Sequence, residues 1–308
     1  MIAPAPAHPF DPDLSLGFLL GDRAADLADL APRASAPLDR PVFVIGCPRS
    51  GTTLLGACLT AHPEVAGGEE SLFLLDLWRV VADLGRGANR RGWAPLAGYL
   101  GGDELIAACG AMADAVFGPL LARRRRARYV DHTPWYAGLV PFISTLYPTA
   151  QFIHLVRDGR QVVRSLGESY DGGFAWAGPD VAGRARLWAT LVDRARTAGK
   201  ALPEERYLEL RYEDLCAAPR AALGRVLSFA DLAWHDEVLL PLAVAHASPS
   251  RATATARVSR GADGRVSIAA RAAEIGWPDR WTALHRHAFN VAAGETLAQL
   301  PPPIWSAT

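Results

Sequence analysis

One stretch, Val42 to His62, constrains the fold of this chain more than any other, and it reads VFVIGCPRSGTTLLGACLTAH. The apolar, β-branched run at its start predicts a buried strand. The following residues, Gly46 to Thr53, have the spacing of a phosphate-binding loop: two glycines separated by four residues, then a hydroxyl residue. Leucines at helical spacing predict a helix that ends before Pro63. A strand, a glycine-bounded loop and a helix together predict an anion site made of backbone N–H groups and the helix dipole.

The loop differs at one position from those of proteins that hydrolyse nucleotides. Those proteins carry lysine where this chain has Thr52, and that lysine neutralises the β- and γ-phosphates. Here the cation is Arg49, which lies inside the loop. The pattern therefore predicts a loop that binds a phosphate but is poorly suited to cleaving a triphosphate. The alternative is a tight strand-to-helix turn that binds no ligand.

A second motif follows the clearest predicted interior strand, QFIHLV at 151–156. That strand leads into Arg157-Asp158-Gly159-Arg160, and Ser165 lies in the predicted helix that begins at Gln161. Arginine offers a planar fork of donors suited to phosphate, and serine adds a hydroxyl donor. By itself the motif would indicate an Arg–Asp pair at the end of a strand. Downstream of a loop without lysine, it favours a second anion site.

A pair of carboxylates lies between these motifs, in the GGEES segment at 67–71. We expect a short strand at 64–66 and a helix opened by Glu69, Glu70 and Ser71. Acidic residues at a helix N-terminus complement the helix dipole, which accounts for one of the two glutamates. In a parallel α/β sheet the strand ends beside such a loop form the ligand crevice, so a carboxylate there is well placed as a general base.

PRSGTTLL, the His-Pro pair at 62–63 and GGEES resemble the opening of sulfotransferases that use 3′-phosphoadenosine 5′-phosphosulfate (PAPS). The likeness is closest to the protein-tyrosine branch and its bacterial relatives, and it extends patchily from Arg40 to Leu232. It implies one α/β domain with a P-loop-type central parallel sheet and helices on both faces. It also implies transfer of a sulfuryl group from PAPS to a hydroxyl acceptor, with adenosine 3′,5′-bisphosphate as product and no metal.

The resemblance also implies roles for individual residues. Glu70 corresponds to the general base, and Arg49 would stabilise the transferred group. His132 occupies the position where relatives commonly have a lysine near the sulfuryl group. A neutral imidazole can donate one hydrogen bond but carries no guaranteed charge. A loop histidine with a structural hydrogen bond would explain His132 equally well. The expected cofactor contacts are Arg49, Ser50, Gly51, Thr52 and Thr53 at the 5′-phosphate, Arg157 and Ser165 at the 3′-phosphate, and Tyr212 of the RYEDL segment.

Length and composition set the remaining expectations. A chain of 308 residues that is half hydrophobic can bury a sizeable core without disulfides or metals. Four scattered cysteines predict free thiols in a reducing compartment, and zero formal charge gives no field to recruit nucleic acid. We see no signal peptide and no apolar run of about eighteen residues, so we expect a cytoplasmic protein without a membrane span. The expected divisions are an arm at 1–39 with a short helix at 22–31, the domain at 40–300 and a tail at 301–308.

Several features leave alternatives open. The basic run at 123–128 is either a solvated helix end or a contact for an acidic acceptor. Trp135 and Tyr136 either line the acceptor pocket or belong to the core. The loop at 170–179 is a candidate lid, and the polar segment at 250–267 is either a closing loop or ordinary surface. The acceptor, a small molecule or a peptide, and the oligomeric state stay unassigned.

Two other functions are compatible with parts of the sequence. A P-loop kinase or NTPase would need another cation in place of the missing lysine, and a carboxylate for Mg²⁺ after a strand. Arg157 occupies the position after QFIHLV where such a carboxylate would be expected, which counts against this class. A nucleotide-binding module without catalysis would keep Arg49 and Arg157 but tolerate the loss of Glu70.

Overall fold

The computed structural model describes residues 38–84, 99–243, 246–248, 251–253, 256–260, 266–270 and 275–302 of the chain. Most of the expected arm with its helix at 22–31, the Gly- and Arg-rich segment at 85–92 and the end of the tail lie outside the described residues.

Five strands form the central sheet, in the order β2-β3-β1-β4-β5, and every neighbouring pair is parallel. Their bounds are β1 (Val42–Ile45), β2 (Val65–Gly67), β3 (Arg128–Asp131), β4 (Gln151–Val156) and β5 (Tyr207–Arg211). The strand order reverses direction around β1, so the crevice at its carboxyl end is where open α/β sheets bind ligands.

The described helices alternate with these strands. They are α1 (Thr52–Thr60), α2 (Phe73–Leu84), α3 (Gly102–Arg124), α4 (Val140–Leu146), α5 (Gly159–Asp171), α6 (Val181–Lys200), α7 (Tyr212–Ala217), α8 (Pro219–Phe229) and α9 (Ala283–Ala298). Short 3₁₀ segments are Pro134–Gly138, Ala175–Ala177, Glu204–Arg206 and Asp236–Ala243.

Alternate residues of the strands feed two separate cores, one on each face of the sheet. Phe43 and Ile45 of β1 pack with residues of α2 to α6 and α9, and Val42 and Val44 pack with α1, α7 and α8. This alternation follows from the period of two along a strand. The predicted parallel sheet with helices on both faces is confirmed.

The helix expected after Glu69, Glu70 and Ser71 is present. It begins at Phe73, because Leu72 has a φ of 53°, in the left-handed region that a right-handed helix excludes. The polar segment at 250–267, expected as a closing loop or ordinary surface, contains strands in its described parts. β7 (Arg251–Thr253) pairs antiparallel with β6 (His246–Ser248), which precedes the segment, and β8 (Ala256–Arg260) pairs antiparallel with β9 (Val266–Ala270).

Helix α3 is the one described helix that is long and apolar enough to cross a membrane, a feature that the sequence analysis had not recognised. Of its most apolar window, 28% is buried within the protein. Length and composition alone are weak evidence for a span, since core helices of soluble proteins share them.

Candidate active site

The predicted site residues gather at the carboxyl edge of the sheet, because most of them directly follow a strand. The 46–51 loop follows β1, and Glu70 lies three residues beyond β2. His132, Arg157 and Tyr212 are the first residues after β3, β4 and β5. Parallel strands bring all these positions to one edge, although they are spread over more than half of the chain. Ser165 reaches the same edge from the middle of α5.

The 46–51 loop has a backbone that few residues tolerate. Arg49 has a φ of 74° and Gly51 a φ of 98°, both in the left-handed region. A Cβ atom at Gly51 would lie 2.5 Å from the Tyr212 ring, so glycine is required by both conformation and space. Gly51 precedes α1, and no described side chain caps the first amides of that helix. Those N–H groups are therefore available to an anion.

Two arginines and a serine meet beside this loop. Arg49 Nε donates to the Ser165 hydroxyl at 3.1 Å, and Arg157 Nη1 donates to the Arg49 carbonyl at 3.1 Å. The Arg157 guanidinium stacks over the Tyr212 ring at 4.6 Å. The structure thus brings together four side chains that the sequence had placed at the cofactor.

Positive charge is concentrated at this point. Burial and the neighbouring Arg157 lower the pKa of Arg49, while the charges of Glu168 and Glu70 oppose that shift. Ser50 Oγ and Arg157 Nε are buried and have no hydrogen-bond partner among the described residues. Buried polar atoms normally have partners, so these two donors suit a ligand.

Glu70 lies near Arg49 of the loop and Thr53 of α1, and it is exposed to solvent. The protein around the carboxyl group excludes part of its solvation, and this is the largest cause of a pKa raised to about 7. The negative charge of Asp131 is the second largest cause. A hydrogen bond from Thr53 and the charge of Arg49 act in the opposite direction, and Glu69 adds a smaller upward effect. Because the side chain is exposed, screening by water opposes the part of this rise that is caused by loss of solvent.

His132 is buried against α1, where a Cβ at Gly56 would lie 2.5 Å from its ring. Burial lowers its pKa, against the opposing charges of Asp131 and Glu69. Its Nδ1 atom has no hydrogen-bond partner among the described residues. His132 is therefore a neutral imidazole close to the site, and it supplies no fixed positive charge in place of a lysine.

The structure adds residues that sequence reasoning missed. Asp131 is almost fully buried at the end of β3 and bonds to Ser71, whose hydroxyl also contacts Tyr136. The position of Asp131 at a strand end, beside the predicted crevice, was the available signal. Tyr136, expected in the acceptor pocket or the core, is completely buried and belongs to the core, as does Trp135.

The remaining predicted features are less closely tied to the site. Arg123 to Arg126 are exposed and precede β3, so they lie at the amino edge of the sheet, opposite the strand ends.

The candidate lid is partly helical, since α5 continues to Asp171. Its Trp176 meets Trp135 edge to face, with ring centroids 5.7 Å apart. Among the described residues there is no cluster of His, Cys, Asp or Glu that could hold a metal ion.

A model of the Sulfotransferase family matches residues 41–236, which cover the sheet, the loop and every predicted site residue. The chain belongs to this family. The matched range agrees with the patchy resemblance between Arg40 and Leu232 found in the sequence.

Individual relatives are more distant. Protein-tyrosine sulfotransferase A of Caenorhabditis elegans is 28% identical over 203 residues, which are 64% of this chain and 51% of that protein. Nodulation protein NoeE of Sinorhizobium fredii is 33% identical over 137 residues, covering 44% of this chain and 32% of that protein. The sulfotransferase domain of the Synechococcus PCC 7002 olefin synthase aligns at 21% identity and a TM-score of 0.48, over 69% of this chain and 80% of that domain. The chain thus spans about half the length of the Caenorhabditis elegans relative.

Proposed function

We propose that this protein transfers a sulfuryl group from PAPS to the hydroxyl of an acceptor, with a phenolic or tyrosyl hydroxyl favoured. The observation that carries the proposal is the meeting of Arg49, Arg157 and Ser165 beside an uncapped helix N-terminus, with the Glu70 carboxylate near Arg49. Two anion-binding points and a base match the needs of such a transfer.

The residues of the cleft suit the nucleotide. The amides after Gly51, with the hydroxyls of Ser50, Thr52 and Thr53, would hold the 5′-phosphate. Arg157 and Ser165 would hold the 3′-phosphate, and the unpartnered Nε of Arg157 is a donor ready for it. The Tyr212 ring packs against Gly51 and against the Arg157 guanidinium, so it would support residues of both proposed anion sites.

The nucleotide supplies the sulfuryl group, and the protein supplies charge and a base. The acceptor oxygen forms a bond to sulfur, while the bond from sulfur to the 5′-phosphate oxygen breaks. Arg49 stabilises the negative charge that accumulates on the departing phosphate. Glu70 takes the acceptor proton, so the products are a sulfate ester and adenosine 3′,5′-bisphosphate. A pKa of about 7 suits a base that must be ionised before the transfer and hold a proton after it.

Two observations favour an aromatic hydroxyl in the acceptor. Two relatives that match 64% of this chain, from Caenorhabditis elegans and Gallus gallus, are named protein-tyrosine sulfotransferases. A phenol also loses its proton more readily than an aliphatic alcohol, which suits a base whose strength is limited by its pKa of about 7. The free thiols of the four described cysteines fit the reducing cytoplasm that we propose as its location.

A kinase or NTPase is the second candidate, and the site argues against it. That chemistry needs a lysine at position 52, where this chain has Thr52, and a carboxylate after a strand to bind Mg²⁺. The residue that follows β4 is Arg157. Thermal shift separates the classes: adenosine 3′,5′-bisphosphate should stabilise the protein more than ADP or ATP with Mg²⁺. A ligand at 100 times its dissociation constant adds about 2.7 kcal/mol to the free energy of unfolding.

Turnover tests the proposal itself. Labelled PAPS is offered with a single-tyrosine peptide, with 4-nitrophenol and with the matching phenylalanine peptide as control. We expect label in the first two acceptors and none in the third. Stabilisation by ATP with Mg²⁺ but not by adenosine 3′,5′-bisphosphate would end the sulfotransferase proposal.

A further inference from the structure

A buried hydrogen-bond network lies directly behind Glu70, and the inference drawn from it rests on the function proposed above. Ser71, the next residue in the chain, donates its hydroxyl proton to Asp131 Oδ2 at 2.7 Å. Its oxygen also lies 2.7 Å from the Tyr136 hydroxyl. Because a serine has one hydroxyl proton and Asp131 takes it, Tyr136 must be the donor in the second bond.

The network holds both ends of the turn that follows Glu70. The Tyr136 oxygen accepts from the Leu74 backbone N–H at 3.2 Å, so the bonds run from Leu74 through Tyr136 and Ser71 to Asp131. Between the held residues lies Leu72, with a φ of 53°. A left-handed conformation in a large residue persists only where the surroundings fix it. The network therefore determines where the backbone beside Glu70 lies.

Asp131 is itself fixed in position. Its Oδ1 accepts from the Thr133 backbone N–H at 2.8 Å, and its Oδ2 accepts also from the Tyr129 hydroxyl at 3.2 Å. The residue is 1% exposed. It therefore acts as a rigid anchor, with little freedom to swing away from the Ser71 hydroxyl.

The same carboxylate brings a negative charge close to Glu70. The groups acting on the Glu70 carboxyl are Asp131 from β3, Arg49 and Thr53 from the loop and α1, and Glu69 beside it in the chain. Among the charged groups Asp131 has the largest effect, and it raises the pKa of Glu70. Two carboxylates that share a site resist ionising together.

We propose that Asp131 is the positioning residue for Glu70: through its hydrogen bond to Ser71 it anchors the turn next to Glu70 and so orients the base. The negative charge of Asp131 supports this role, because it favours the protonated form of Glu70 after the transfer. Nothing in the GGEES motif reveals this role, since Asp131 lies 60 residues from Ser71. The sheet brings the two segments together because β2 pairs with β3.

Two variants separate the two parts of the role. Asp131→Asn removes the charge and keeps the shape, and the Ser71 and Tyr129 hydroxyls can rotate to suit an amide. Ser71→Ala removes the anchor and leaves the charge. Asp114→Asn is the matched control, because Asp114 also accepts from a tyrosine hydroxyl, that of Tyr147 at 3.0 Å, away from the site.

The first measurement does not need turnover. The Glu70 carboxyl carbon is titrated by NMR in protein labelled with ¹³C-glutamate and assigned with Glu70→Gln. We expect Asp131→Asn to lower the Glu70 pKa by about one unit, the usual scale for a neighbouring charge. Ser71→Ala and Asp114→Asn should leave it unchanged. A folded Asp131→Asn protein that titrates like the parent would overturn the role of the charge.

The second measurement is kcat against pH with PAPS and the single-tyrosine peptide. Ser71→Ala should lower kcat about tenfold or more, since misplacing a catalytic group by about an ångström is costly. The midpoint of its acid limb should not move, whereas that of Asp131→Asn should move to lower pH. If Asp131→Asn does not fold, Ser71→Ala decides the anchoring role, and normal kcat would overturn it. If the parent protein shows no turnover, that result counts against the proposed function. The NMR titration then decides by itself whether Asp131 acts on Glu70.

Discussion

Arg49 and Ser165 are joined by a hydrogen bond of 3.1 Å between Nε and the hydroxyl, although 116 residues separate them. The resemblance had implied different places for them, Arg49 at the 5′-phosphate and the transferred sulfuryl group, and Ser165 at the 3′-phosphate. The bond shows that the side chains of the two proposed anion sites touch each other. In the proposed function Ser165 would therefore have two tasks, to orient Arg49 and to donate to a phosphate.

Ser165→Ala should weaken binding of adenosine 3′,5′-bisphosphate by roughly one to two decades, the range for a hydrogen bond to a charged group of about 1.5–3 kcal/mol. Isothermal calorimetry measures the change. The matched control is Ser169→Ala on the same helix, because the buried Ser169 hydroxyl bonds only to the Ser165 carbonyl among the described residues. Equal losses in both variants would indicate damage to α5 instead of a lost ligand contact.

Arg157 should decide the preference for a 3′-phosphate. The parent should bind adenosine 3′,5′-bisphosphate far more tightly than adenosine 5′-monophosphate, and Arg157→Ala should remove most of that difference. Arg220→Ala serves as control, because Arg220 also stacks on an aromatic ring, that of Trp234 at 4.8 Å, outside the site. Equal affinity of the parent for both nucleotides would contradict the assignment of Arg157.

Much of this site could be predicted because its residues follow strands. Val42 to Ile45 and Gln151 to Val156 are strongly apolar runs, and parallel pairing brings whatever follows them to one edge. The contact of Asp131 with Ser71 could not be predicted, since the two residues are 60 positions apart and meet only because β2 pairs with β3. The left-handed conformation of Leu72, which makes Phe73 the first residue of α2, also has no signature in the sequence.

The sequence left two interpretations of the arginines at 123–126 open, a solvated helix end and a contact for an acidic acceptor, and the structure favours the first. Their position before β3, at the amino edge of the sheet, supports a solvated helix end. Replacing these four arginines by glutamine should leave KM for an acidic tyrosine peptide unchanged at low salt, where exposed charges act over the longest range. A rise in KM that disappears at high salt would show that the run steers the acceptor.

The raised pKa of Glu70 also has a consequence for stability. A carboxyl whose pKa rises from 4.5 to about 7 on folding binds its proton more tightly in the folded state. Its contribution to stability is fully present below 4.5 and is lost as the pH rises through about 7. At pH values above the Glu70 pKa of about 7, Glu70→Gln should therefore raise the Tm. At pH values below 4.5 it should change the Tm little. A Tm difference that is the same at both pH values would mean that the Glu70 pKa is not shifted.

Glu70 and Glu69 provide the sharpest test of the reaction itself. Attack on sulfur requires an acceptor oxygen that loses its proton during the transfer. The acceptor oxygen, the sulfur and the leaving oxygen must lie roughly in line, and the base must lie within hydrogen-bond reach of the acceptor hydroxyl. The hydrogen bond from Thr53 and the charge of Arg49 act on Glu70, whereas Glu69 acts on Glu70 only as a weak neighbouring charge. Glu70→Gln keeps the shape and removes the basicity, so kcat should fall by roughly 10²–10⁴, the usual range for general base catalysis. Binding of adenosine 3′,5′-bisphosphate should change little, and Glu69→Gln is the matched control that should cost much less. His132 is the competing base, so a normal kcat in Glu70→Gln together with an inactive His132→Ala would transfer the role to the imidazole.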